Sequence, residues 1–241
     1  MSLYTEFRKL KRTCFFPAFA AGGVLSAAFP VLNMAVRSEL FTAINAPAIQ
    51  ILMENNWEMM VMLNLLLLIT GACILYHIEY AENGIQKMQA LPLREASLFF
   101  GKAALLVPAF ALMAVIEAAS LIFCGARWFN ESAGTLISDA AASLGFAFLL
   151  TLPALILSLM ISSLCQNMWT MLGIGVLCVF TASMLPADSF LASLFPYAMP
   201  FQILPGMETE QITRYCIAAA AETAVLGSAE LIILKTRRLF A

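Results

Sequence analysis

The sequence predicts an all-α membrane protein with six transmembrane helices and both termini in the cytoplasm, and three observations carry that expectation. Hydrophobic residues make up 62 % of the 241 residues and charged residues only 12 %, about half the charge of an ordinary soluble domain. Mean hydropathy is +0.88, so the excess apolar surface calls for lipid as its solvent. Six stretches approach the roughly 20 apolar residues that a helix needs to cross the hydrocarbon core. Lys and Arg, finally, fall mostly on one side of those stretches, as cytoplasmic connections do. With a net charge of −2, the chain offers no basic field for nucleic acid.

The chain opens on "LYTEFRKLKR", where Leu3, Phe7, Leu10 and Cys14 share one helical face and four basic residues lie elsewhere. That pattern reads either as an amphipathic helix on the inner leaflet or as basic residues that only fix topology. The first span is Cys14–Val36. Ala18, Phe19 and Ala20 form a cleavage-like triplet, but it follows Cys14 too closely for a signal-peptide core, so an uncleaved span is expected. Arg37–Glu58 follows as an outer cover, and then the second span, Met59–Ile78.

The longest inner connection is "EYAENGIQKMQALPLREASLFFGK", from Glu79 to Lys102. Asn83 caps a short helix that places Ile85, Met88 and Leu91 on one face, and Pro92 ends it. An apolar stripe on the wet side of a membrane calls for a partner. Spans three and four, Ala103–Cys124 and Ala140–Ile161, follow; "SSLCQNM" links the fourth to the fifth, Met168–Leu185, the shortest. Beyond it, 187–213 carries Pro196, Pro200 and Pro205 among Phe190, Phe195, Tyr197 and Phe201. Such a segment reads as interfacial or re-entrant helices at headgroup depth. The sixth span is Tyr215–Leu234. No inverted repeat relates the halves, which gives a secondary transporter no support.

Ten basic residues (Arg8, Lys9, Lys11, Arg12, Lys87, Arg94, Lys102, Lys235, Arg237 and Arg238) then lie on one side, and three (Arg37, Arg127 and Arg214) on the other. The richer side is the cytoplasmic one.

Glu117, Glu222 and Glu230 fall within spans, where a charge is costly and must face protein or water. At 1.5 Å per residue, Glu117 lies about 21 Å from Ala103 and Glu222 about 11 Å from Tyr215, both in the outer half. They line one polar cavity, share a proton, or bond neighbouring helices. Glu230, near the inner end, is expected to snorkel toward Lys235 or an adjacent basic residue.

Catalytic constellations are missing. Cys14, Cys73, Cys124, Cys165, Cys178 and Cys216 stand singly, and His77 is the one histidine; neither a disulfide framework nor a zinc site is expected. No P-loop is present, since Gly101 and Lys102 lack the preceding glycine and the hydroxyl residue. The rival enzyme reading would use His77, Glu79 and Glu82 as a metal or acid/base site. A non-transporting scaffold is a third reading.

Between Glu79 and Lys102 the sequence resembles the permease subunits of type 2 ABC exporters. The residues that carry the likeness are Glu79, Glu82, Gly84, then Leu91, Pro92, Leu93 and Arg94, then Gly101 and Lys102. "EFRKLKRT" is similar to the connecting helix of that family, and the Pro/aromatic outer segment to its external helices. Length and "FPYAMPFQILPG" resemble the lantibiotic self-immunity branch in particular. The resemblance implies a transport subunit of a bacterial cell membrane that binds no cofactor itself, with ATP and Mg held by separate ATPase subunits. It also implies a second permease chain, identical or related, and a peptide expelled from the membrane. The segment around Asn83–Leu91 would be the coupling helix, with Lys87 and Arg94 at its rim and Glu79, Glu82, Gly84 and Pro92 in the same element.

Overall fold

The computed structural model describes residues 7, 8, 10, 13–81, 95–165, 167–186 and 189–240. Among them every regular element is helical. Residues 7, 8 and 10 are helical, and Leu10 is buried against Phe15 and Phe19. Helix α1 (Phe15–Thr42) bends at Arg37, whose φ of −132° and ψ of 29° leave the helical region. The bend falls one residue past the hydropathy boundary at Val36.

Helix α2 (Ala48–Ala81) has 34 residues, a length of about 51 Å. It begins eleven residues before the predicted Met59, so half of the expected outer cover is a continuation of this span. The Glu131 carboxylate accepts the Ala48 amide at 2.9 Å, an acidic cap where the helix dipole favours one. Helix α3 (Glu95–Cys124) ends in a wide turn over Gly125–Phe129, closed by Asn130 in the left-handed region at φ 53°. Helix α4 (Ala133–Leu164) is capped by the Ser132 hydroxyl, which accepts from Thr135. Asn167 caps α5 (Met168–Ser183) in the same way, accepting from Trp169 at 2.9 Å. After a short helix α6 (Phe190–Ser193) and a 3-10 turn at Met199–Phe201, α7 runs from Thr209 to Phe240.

Five of these helices, α1 to α4 and α7, are long and apolar enough to cross a membrane. The 16 residues of α5 reach about 24 Å, short of a core about 30 Å thick. Helix α2 lies at the centre of the bundle, against α1, α3, α4 and α5. Gly71 permits the α1–α2 approach, because a Cβ there would lie 2.6 Å from Cζ of Phe19. Helix α7 leans mainly on α4 and exposes Ile217, Val225 and Ile232.

The Pro/aromatic segment packs against the bundle. Tyr197, Ala198, Met199 and Pro200 are buried, and Tyr197 packs among Leu65, Ile69, Met171 and Val179 of α2 and α5. The short α5 leaves room beside α2 and α4, and the segment turns inward to fill it.

Candidate functional site

The residues singled out for coupling meet the described structure at one point. Glu79, in the last turn of α2, is buried and lies 3.4 Å from Nζ of Lys102 on α3, which is 1 % exposed. Lys102 also donates to the Leu75 carbonyl at 2.5 Å and sits 4.8 Å from the centre of the Tyr76 ring. Leu75, Tyr76 and Glu79 lie within little more than one helical turn of α2, so the ammonium is held by a carboxylate, a carbonyl and an aromatic face together. Glu82, Asn83, Gly84, Ile85, Lys87, Met88, Leu91, Pro92 and Arg94 lie outside the described residues.

His77 is exposed while Glu79 is buried, so these two members of the rival metal or acid/base set do not converge. Among the described residues no group of three or more His, Cys, Asp or Glu could hold a metal ion.

The intramembrane glutamates separate from one another. Glu117 on α3 is 1 % exposed and accepts a short hydrogen bond from the Ser26 hydroxyl on α1. Asn64 of α2 lies beside the same carboxyl, and its Oδ1 has no hydrogen-bond partner among the described residues. Three helices therefore meet at one buried polar point, the interhelical bonding that isolated polar residues in spans provide. Glu222 is elsewhere, partly exposed on α7, with Oε2 unbonded among the described residues. Glu230 is wholly buried whereas Lys235 is exposed.

A second polar set anchors the outer segment. The Tyr197 hydroxyl pairs with that of Ser158 at 2.8 Å, and Trp57 donates its indole N–H to the Pro200 carbonyl at 2.9 Å. Ser193 pairs with Tyr215 of α7 at 3.0 Å. Ser158 lies six residues from the Leu164 end of α4, about 9 Å, so the tyrosine packs close to the end of α4 that leads into α5. Ser26, Asn64 and Ser158 escaped the sequence reading. Their one signal is a lone polar residue in an apolar run.

Long apolar helices joined by short connections, with polar groups turned toward one another, define a multi-pass membrane protein. The family model for ABC-2 family transporter protein matches residues 2–183. The chain belongs to that family, the membrane components of ABC transporters, and such components work with ATP-binding subunits. The matched region ends with α5 and leaves out the outer segment and α7. No curated protein and no solved structure matches the chain.

Proposed function

We propose that the chain is a single permease domain over 1–241 that exports an amphipathic peptide from a bacterial cell membrane, with ATP and Mg held by separate ATPase subunits. The family match over residues 2–183 carries this reading. In it the chain crosses six times, α5 making the fifth and shortest crossing. Both ends are cytoplasmic, an orientation that the ten-to-three division of basic residues favours. A second permease chain, identical or related, completes the pathway.

The ATPase would seat on the segment around Asn83–Leu91, where Ile85, Met88 and Leu91 share a face. Closure of the ATPases on ATP would push that segment, tilt α2 and α3, and change which side of the pathway is open. The substrate reading, a lantibiotic or similar antimicrobial peptide expelled as self-protection, is supported by the resemblance in length and outer segment. Export of another amphipathic molecule, a drug or a lipid, is the alternative within the same mechanism.

Purification from native membranes tests the partnership. An ATP-binding subunit is expected to co-purify, and Ile85→Asp or Met88→Asp is expected to abolish co-purification while the chain still inserts. Survival of the complex with both changes would refute the docking assignment. Susceptibility of cells with and without the chain to candidate peptides tests the substrate.

A further inference from the structure

We infer that Glu79 and Lys102 form a clamp that makes the inner ends of α2 and α3 move as one body, so that displacement of the segment between them is transmitted to both helices together. This rests on the coupling role proposed for that segment. The two residues stand at its base. Glu79 lies two residues before the end of α2, and Lys102 seven residues after the start of α3.

Elsewhere α3 packs more extensively on α1 and on α4 than on α2, whereas α2 leans on α1, α4 and α5. A push on the connecting segment therefore acts on two helices with different neighbours. An apolar contact resists their separation but is non-directional and tolerates sliding. The Lys102 ammonium, fixed to the Leu75 carbonyl, the Tyr76 face and the Glu79 carboxylate, does not slide without breaking a directional bond.

Stability does not require charges here, since well-packed hydrophobic residues commonly replace a buried ion pair without loss. A buried pair at this place thus points to fixed geometry. Glu79 and Lys102 are positioning residues on this account and touch neither nucleotide nor cargo.

Spin labels on His77→Cys of α2 and Phe100→Cys of α3, both exposed positions, report the distance between the two helix ends. The chain would be purified with its ATP-binding subunits in a background of cysteine-to-alanine changes. With the pair intact, one narrow distance is expected with and without ATP and vanadate. Each single neutralisation removes a partner of a buried charge and risks misfolding, so the informative variant is Glu79→Gln with Lys102→Met. Its distance distribution is expected to broaden and to shift with nucleotide. A folded neutral double variant that keeps the narrow, nucleotide-independent distance would overturn the clamp. Loss of ATPase co-purification from the unlabelled chain would instead strike the docking assignment, and the nucleotide-free distances would still read the clamp.

Discussion

In the proposed orientation, the inner and outer ends of the bundle are fastened in different ways. At the inner end, a buried ion pair joins two helices that are neighbours in sequence, α2 and α3. At the outer end, an irregular segment is fastened to distant helices by neutral hydrogen bonds and by burial of its own side chains, Tyr197 above all. The inner contact is strong only while both charges are present. The outer one spreads over many apolar contacts, and each hydrogen bond is a modest addition. A joint of the first kind fixes an angle; one of the second kind fills a space. The inner end should therefore respond to charge at nearly constant size, and the outer end to size at constant charge.

The largest effect is expected at the inner end. Lys102→Met takes the ammonium away from the buried Glu79, a loss of about 3–5 kcal/mol, read as a lower melting temperature in detergent. Adding Glu79→Gln should recover most of it. If the double variant is no more stable than the single one, the pair is not the unit described.

Tyr197→Ala comes next. It deletes a fully buried ring and should cost about 3–4 kcal/mol, while Tyr197→Phe, which keeps the volume, should cost about 1 kcal/mol. Equal losses in the two variants would mean that the hydroxyl rather than the ring holds the outer segment. Trp57→Phe, which removes the donor to Pro200, should cost about 1–2 kcal/mol and leave the inner clamp distance unchanged. Arg214→Ala lies at the bottom of the scale. The Arg214–Glu210 pair is 2.5 Å long but 62 % and 72 % exposed, and such pairs contribute at most about 0.5 kcal/mol. A melting shift as large as that of Trp57→Phe would show that the outer end depends on charge after all.

Much of the fold was legible in the sequence, for a simple reason. Twenty apolar residues in a row constrain position along the chain more strongly than propensity does, and every predicted span lies in a helix or overlaps one closely. The misses fall where hydropathy and helicity part. Glu54, Asn55 and Asn56 interrupt the apolar pattern ahead of Met59, yet α2 runs straight through them from Ala48. The shortness of the fifth span is readable in the sequence, but nothing local shows that Tyr197 packs beside it among Leu65 and Ile69 of α2.

The site was legible in its parts and not in its pairings. Glu79 and Lys102 were both noticed, but their union across 23 positions follows from the helix packing, which one sequence does not display. Glu117 and Glu222 matched in estimated depth alone. Depth along an axis leaves rotation about it undetermined, and the structure turns Glu117 toward Ser26 and leaves Glu222 elsewhere.

Coupling to a soluble ATPase requires the segment after Glu79 to face the compartment that holds it. Labelling of Met88→Cys in intact cells with a membrane-impermeant thiol reagent, in a cysteine-to-alanine background, tests this most directly. Protection in intact cells and labelling once the membrane is opened is the expected result. Labelling from outside in intact cells would contradict it, because no soluble motor could then reach the segment.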